Sequence, residues 1–251
     1  MINLKSVKTQ LILYLLILAV FLIVKDKDAA FLSSALVAVA SAVILDALFL
    51  SFRKKAPVIT ESAVITGLII GYVLSSDEAL WKFIFAAALA IASKHFIRSG
   101  KKHIFNPAAF GLFFTVILLN ASTQWRATYI WYILVPFGIY FAQRIRKLEV
   151  ISGYAVASFL LFGVQAVLNG VPVLHIFGYF NYFYVFVMVI EPKTTPLKPA
   201  GKYIFGLAVA VLIFIMTEIG ARFDVELFSL LAMNVTVPLL NRIQLKKGGK
   251  A

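Results

Sequence analysis

The sequence predicts an all-α, polytopic membrane protein with about ten transmembrane segments, some of them short or broken. Hydrophobic residues make up 62% of the chain and the mean hydropathy is +0.94, whereas an ordinary soluble domain is about 45–50% apolar. Only 14% of residues are charged, and most charges lie between long apolar runs. The length of 251 residues leaves little room outside a bilayer, so we expect one membrane domain over residues 1–251.

Ten apolar runs are candidates for crossing segments, although a full span needs about 20 residues and several runs are shorter. The runs cover residues 9–24, 29–51, 59–75, 79–97, 105–120, 127–143, 149–169, 172–190, 203–219 and 224–241. We interpret the first run as a span and not as a cleaved leader, because it has no small-residue cleavage site and is followed by Lys-Asp-Lys-Asp.

The distribution of lysine and arginine supports this topology. If the N-terminus is cytoplasmic, ten crossings place 19 of the 24 basic residues on the cytoplasmic side and 5 on the outer side. Such an excess is typical of cytoplasmic loops. We therefore expect a multi-pass protein of the cytoplasmic membrane, with both termini cytoplasmic. The same loops explain the net charge of +13, and without a basic stripe interleaved with aromatic residues we expect no binding to nucleic acid.

Ten crossings divide into two halves of five, at about residues 1–123 and 124–251. Because five is an odd number, the second half would run in the opposite direction, which defines an inverted repeat. Proteins built this way often place their binding sites near the bilayer midplane, at short or interrupted helices in matching positions of the two halves. Segments three and eight form one matching pair, and segments five and ten form the other.

The pair of segments five and ten carries asparagine and proline in both members. Asn106 and Pro107 open segment five within Lys-His-Ile-Phe-Asn-Pro-Ala-Ala-Phe-Gly, and segment ten contains Asn234 and Pro238. Asparagine followed by proline is a common helix start. A helix that starts at membrane depth also leaves first-turn N–H groups that suit an anionic or carbonyl group. Asn106, Pro107 and Asn234 are therefore candidate binding residues.

Segment three is short and rich in glycine. Thr66 and Gly67 are followed by Gly71, and this spacing of small residues permits close packing of two helices. The alternative is that bare backbone leaves room for a flat ring, in which case Thr66 and Gly67 belong to a binding site. The sequence leaves both readings open.

The loop after segment eight reads Glu-Pro-Lys-Thr-Thr-Pro-Leu-Lys-Pro-Ala-Gly-Lys and starts at Glu191. Its three prolines predict a non-helical segment throughout. Glu191 is then either a solvated acid in a cytoplasmic turn or part of a broken helix that brings Glu191, Thr194 and Thr195 to a site. Segment eight itself is rich in aromatic residues, which form either an interfacial belt or a surface that stacks on a planar cofactor or quinone.

Asp46 lies inside segment two, where an acidic side chain is costly and is by default a functional candidate. Its expected partner is Lys94 or Arg53, and Asp46 with Lys94 forms a candidate ion path. The alternative is a buried structural pair. The chain has no cysteine, which excludes cysteine-ligated metal sites, and we do not expect its three histidines to form a metal or haem site.

Four motifs together carry a family resemblance: Thr-Gly-Leu at 66–68, the stretch 93–111 around Asn106, Glu-Pro-Lys-Thr-Thr-Pro-Leu at 191–197, and the stretch 233–242 around Asn234. In these motifs, over about residues 40–243, the chain resembles the D subunit of Rnf electron-transport complexes and the B subunit of the sodium-translocating NADH:quinone oxidoreductase. The resemblance implies an inverted-repeat fold similar to urea and ammonium transporters. It also implies a membrane subunit that works with other redox subunits, binds a flavin and in some members contacts a quinone.

Members of this family commonly bind FMN through the threonine of a Ser-Gly-Ala-Thr-like motif. Here the Gly220-Ala221 pair is followed by Arg222, so we expect non-covalent FMN or riboflavin and no covalent FMN. We do not expect the chain to be catalytic alone, because it has no nicotinamide motif and no iron–sulfur ligands. The alternatives are a transporter or channel for a small solute or vitamin, and a scaffold for redox partners.

Overall fold

The computed structural model describes residues 6–53, 56, 58–100 and 102–243, and its helices confirm the predicted all-α, polytopic architecture. Four helices are long and apolar enough to cross a membrane, and three more are apolar but shorter. The elements are α1 (Val7–Asp26), α2 (Ala29–Phe52), α3 (Glu61–Val73), α4 (Leu80–Phe96), β1 (Arg98–Ser99), β2 (Lys102–His103), α5 (Pro107–Leu119), α6 (Trp131–Arg144), α7 (Leu148–Leu168), α8 (Ile176–Tyr179), α9 (Pro199–Glu218) and α10 (Val225–Leu240).

The helices run between two ends of different chemistry. At one end, which we call the basic end, lie Lys8, Lys94, Lys147 and Lys193. At the other, which we call the opposite end, Arg126 is buried, donates to Asp28 Oδ2 at 2.7 Å and lies over an aromatic ring of α2. Burial alone would raise the pKa of Asp28, but hydrogen bonds and this guanidinium lower it below its ordinary value.

In the first half of the chain, α2 packs against α3 and α4, and α4 packs against α5. Two glycines of α3 make the first contact possible. A Cβ at Gly67 would lie 2.5 Å from the Cα of Val39, and one at Gly71 would lie 2.8 Å from the Cα of Ala35. These distances are shorter than any real carbon contact, so the glycines of α3 serve close helix packing.

In the second half, α7 packs against α9, and α9 packs against α10. The contact of α7 with α9 depends on glycine from both helices. A Cβ at Gly206 would lie 2.0 Å from the carbonyl oxygen of Val150, and one at Gly153 would lie 2.3 Å from that of Tyr203. The pairs α2–α4 and α7–α9 occupy corresponding places in the two predicted halves, whose boundary stays a prediction.

Segment eight differs from a continuous helix. It begins with a 3₁₀ turn and the short α8, breaks at Phe180 and Asn181, and resumes as a π-helix at Tyr184–Val189, which we call the π segment. Asn181 Oδ1 stabilises the break, because it accepts from the Tyr184 N–H at 2.9 Å and from the Thr128 hydroxyl at 2.8 Å. Unwound backbone of this kind is tolerated at membrane depth only where protein covers it.

The loop prediction was correct for residues 191–198 and wrong for residues 199–202, because α9 already starts at Pro199. Proline is well tolerated at the first helical position, where its missing N–H would have no intrahelical acceptor. The two-residue strands β1 and β2 were also not predicted. They pair antiparallel around Gly100, with Arg98 opposite His103, and they lead the chain from α4 into α5.

Candidate functional site

A cavity of about 320 Å³ lies at the basic end, between α1, α3, the start of α5, the end of α6 and the π segment. Four of the predicted binding residues line it, although they come from three distant stretches of the chain. They are Thr66, Asn106, Pro107 and Glu191. The structure therefore brings together three motifs of one predicted site. No single motif, taken alone, predicts that the three would meet.

Asn106 and Asn234, the predicted counterparts in segments five and ten, are in direct contact. The backbone N–H of Asn106 donates to Asn234 Oδ1 at 2.8 Å, and the side-chain amide of Asn106 donates to the Met188 carbonyl at 3.3 Å. Asn106 Oδ1 caps α5 by accepting from the Ala109 N–H at 3.1 Å. Asn234 in turn donates to the carbonyl of Thr194 at 3.0 Å. We call these four contacts the asparagine junction.

Both asparagine side chains are almost fully buried, at 2% and 1% exposure. Each end of the Asn106 amide already has a partner within the protein, so this side chain positions the helix start at the cavity. Ala108, in the first turn of α5, lines the cavity next to it. Pro107 precedes it at the first helical position and has no N–H to satisfy.

Glu191 reaches the cavity from the end of the π segment, and two groups hold its carboxylate. His103 Nε2 lies 3.0 Å from Oε1, and the hydroxyl of Thr194 donates to Oε2 at 3.1 Å. His103 is buried and comes from the unpredicted hairpin. This histidine was missed by sequence reasoning, because only the hairpin brings it to a residue that is 88 positions away.

Lys147 anchors the turn that follows Glu191. It is only 3% exposed, and its ammonium donates to the carbonyl oxygens of Pro196 at 2.6 Å and Thr195 at 3.4 Å. Burial, with a smaller contribution from the neighbouring charges of Lys202 and Lys102, lowers the pKa of Lys147 to about 8. The turn is therefore held by a buried cation that has carbonyl partners and no ion pair among the described residues.

This cation predicts a pH dependence of stability. Between about pH 8 and the ordinary lysine pKa near 10.4, the unfolded chain binds more protons than the folded protein. The free energy of unfolding should therefore rise with pH in this range, by at most about 1.4 kcal/mol per unit. Denaturant titrations of the purified protein at several pH values check this. The slope should be smaller in Lys147→Met than in Lys198→Met, and a stability that falls with pH would contradict the assignment.

Gly67 does not line the cavity, because it faces α2, as its contact with Val39 shows. Thr66 does line it, and its hydroxyl donates to the Ser62 carbonyl at 2.8 Å.

Two exposed lysines, Lys8 and Lys193, stand at the cavity mouth. Partial burial and the charge of Lys8 lower the pKa of Lys193. Within the described residues, neither lysine forms an ion pair with a carboxylate.

The aromatic residues of segment eight have more than one environment. Phe183 stacks on Tyr72 of α3 with ring centroids 5.0 Å apart, so part of the cluster is core. Phe186 borders the first cavity and also a second one of about 970 Å³, which lies against α6, α7 and α8 toward the opposite end. Phe186 therefore separates the two cavities.

The predicted pair of Asp46 and Lys94 is present, with Lys94 Nζ 2.9 Å from Asp46 Oδ1. His95 Nε2 contacts the same oxygen at 2.7 Å. Arg53, the other expected partner, donates instead to the His95 carbonyl at 2.6 Å. His95 was missed, although its position next to Lys94 was a signal. His95 and His103 bind different carboxylates, and the described residues contain no group of three metal-ligating side chains.

These features define a multi-pass membrane protein whose broken and capped segments meet at a cavity at one end. A sequence profile of the NQR2, RnfD, RnfE family matches residues 2–130 and 127–249. The chain belongs to this family.

Curated relatives share low identity with parts of the chain, and three of them are each named as the D subunit of an ion-translocating oxidoreductase complex. The protein of Yersinia pestis is 27% identical over 117 residues, which are 47% of this chain and 30% of that protein. The protein of Actinobacillus succinogenes is 33% identical over 60 residues, 24% of this chain and 17% of that protein. The protein of Psychromonas ingrahamii is 26% identical over 89 residues, which are 36% of this chain and 25% of that protein. The chain thus aligns with less than a third of each relative's length.

Proposed function

We propose that this chain is a membrane subunit of an ion-translocating electron-transport complex and binds a flavin non-covalently in the cavity at the basic end. The observation that carries the proposal is the convergence of Thr66, Asn106, Pro107 and Glu191 on one cavity. The names of the relatives support a complex with other subunits. The flavin would supply the redox chemistry, while the protein supplies position and electrostatics.

The size and the lining of the cavity, which are those of a small-molecule site, support the flavin proposal. Small-molecule sites usually measure about 300–1,000 Å³ and combine apolar walls with a few polar groups, and this one measures about 320 Å³. Phe141 and Phe186 are ring-bearing walls, suited to an isoalloxazine. The first turn of α5 and Thr66 would face its polar edge. The asparagine junction would fix the helix start, so that these groups need no reorganisation when the ligand binds.

The mouth of the cavity favours the phosphate-bearing form, FMN, over riboflavin. Lys8 and Lys193 stand there without an ion-pair partner among the described residues. A phosphate between two ammonium groups forms charge-assisted hydrogen bonds, which are about twice as strong as neutral ones. In this proposal the lysines bind the FMN phosphate non-covalently, because the chain lacks the Ser-Gly-Ala-Thr-like sequence that carries covalent FMN.

The flavin proposal predicts a coloured protein. Protein purified in mild detergent should show flavin absorbance that acid releases into solution. Lys193→Glu should weaken FMN binding at least about tenfold, since it replaces an attraction by a repulsion. Lys193→Glu should change riboflavin binding little. The control Lys198→Glu, in the same loop but away from the cavity, should leave the binding of FMN and of riboflavin unchanged. A colourless protein that takes up no flavin would refute the proposal, and solute uptake by the protein alone in liposomes would favour a transporter.

We also propose that the basic end faces the cytoplasm and that the membrane is the cytoplasmic membrane. The excess of lysine and arginine at this end supports the orientation. The chain has no cysteine, so single cysteines report their own position. We expect a cysteine at the exposed Arg144 to react with a membrane-impermeant maleimide only from the cytoplasmic side, and one at the exposed Lys27 only from outside. Labelling of both from one side would overturn the topology.

A further inference from the structure

A buried charge cluster lies at the basic end, at the ends of α2 and α4. Its centre is Asp46, which is 1% exposed. His95 Nε2 and Lys94 Nζ both contact its Oδ1, at 2.7 and 2.9 Å, while the Thr60 hydroxyl donates to its Oδ2 at 2.5 Å. The side-chain nitrogens of His95 and Lys94 thus share one carboxylate oxygen of Asp46, and the other oxygen accepts the hydrogen bond from Thr60.

The contacts fix the tautomer of His95. An ionised carboxylate can only accept hydrogen bonds, and Asp46 forms a salt bridge with Lys94. The hydrogen of the neutral ring must therefore be on Nε2, which leaves a lone pair on Nδ1. His95 is 7% exposed, and its Nδ1 has no hydrogen-bond partner among the described residues. Phe49 stacks on the ring at 5.0 Å and 16°, which holds it in this orientation.

The charges around the ring are unbalanced. Asp46 of α2 is the negative group, and Lys94 of α4 and Arg53 after α2 are positive. Thr60, before α3, completes the polar groups that face the pair. With a neutral His95, the cluster already holds one carboxylate and two cations, Lys94 on Asp46 and Arg53 on the His95 carbonyl. A proton on Nδ1 would add a third positive charge, and His95 and Lys94 would then compete for the same oxygen.

We propose that Nδ1 of His95 is a buried proton-binding site at the basic end. On binding, the lone pair of Nδ1 forms an N–H bond with a proton from hydronium, which leaves as water. The imidazolium keeps its hydrogen bond to Asp46 Oδ1 and weakens the hold of Lys94 on that oxygen. The predicted ion path of Asp46 and Lys94 thereby gains a carrier, the proton, and an atom that holds it.

The site can influence the start of α3 through a single side chain. Thr60 donates to Asp46 Oδ2 and also caps α3, because its hydroxyl oxygen accepts from the Ala63 N–H at 3.2 Å. A change in the charge of the cluster therefore acts on the helix that carries Thr66. This coupling does not require a flavin in the cavity, so the proton site can be tested without one.

Nitrogen NMR of the full chain, labelled at histidine and held in lipid nanodiscs, tests the site directly. His103→Gln and His175→Gln assign the signals, and His175 serves as the solvent-exposed reference. We expect His95 to show a hydrogen on Nε2 and a bare Nδ1 at alkaline pH. On acidification the bare-nitrogen signal should be lost as the imidazolium forms.

Two variants identify the source of the effect. Asp46→Asn removes the anion and should lower the ratio of charged to neutral His95 at a fixed pH about tenfold or more. Lys94→Gln removes the competing cation and should raise this ratio, which keeps the test valid should Asp46→Asn not fold. A hydrogen on Nδ1 at alkaline pH would overturn the proposal. A ring that stays neutral down to about pH 4.5, two units below the ordinary histidine value, would also overturn it.

Discussion

Replacement of Asn106 by leucine is expected to abolish ligand binding in the cavity and to destabilise the protein by about 2 kcal/mol or more. The change removes the cap on the Ala109 N–H, which is left buried without its partner, and it removes one donor to the Met188 carbonyl, which still accepts from the Glu191 N–H. It also places an apolar side chain where α5 meets the cavity. Asn106→Leu should reduce flavin binding more than Asp46→Asn does, because Asp46 does not line the cavity.

Flavin titration and unfolding in denaturant measure the two effects separately. Asn169→Leu is the matched control, since Asn169 is exposed at the C-terminal end of α7 and has no side-chain contact with the cavity. If Asn106→Leu bound flavin as tightly as the unmodified protein, the start of α5 would not belong to the site. If Asp46→Asn caused the greater loss, the site would lie nearer to α2.

Replacement of Gly206 by alanine should lower stability by about 3 kcal/mol, the largest effect we expect from adding one methyl group. The new Cβ would lie 2.0 Å from the carbonyl oxygen of Val150 and 2.9 Å from the backbone nitrogen of Tyr154. Both are backbone atoms of α7, so no side chain can move aside and the helices must separate. The midpoint of thermal or denaturant unfolding measures this.

Gly178→Ala is the control for Gly206→Ala. A Cβ at Gly178 would meet no atom within 4 Å, so the same methyl group is added in open space. We expect little change in stability for this variant. Equal losses for the two variants would show that the close approach of α7 and α9 contributes nothing particular to the stability of the fold.

Hydropathy predicted the positions of the crossing segments well, because length and apolar composition are properties of each segment alone. Segment two was expected at 29–51 and α2 covers Ala29–Phe52, and segment ten was expected at 224–241 and α10 covers Val225–Leu240. The break at Asn181 was not predictable in the same way. It depends on a hydroxyl from Thr128, which hydropathy does not register.

The candidate site could be predicted only in part. The repeat argument paired Asn106 with Asn234, and the structure shows them in contact. The direction of Gly67 and the partners of His95 and His103 depend on which face of a helix meets which neighbour. Such faces cannot be read from nearly uniform apolar helices, since apolar residues surround the whole helix and leave no polar face to orient it.

The asparagine junction has a consequence for the motions open to this fold. Transporters with inverted repeats work by alternating access, in which one bundle rocks against the other around a central site. Here α5 of the first predicted half and α10 of the second are joined by a buried hydrogen bond of 2.8 Å, and α10 is bonded onward to the turn after Glu191. Rocking would break these bonds away from water, so the junction favours a fixed scaffold over alternating access.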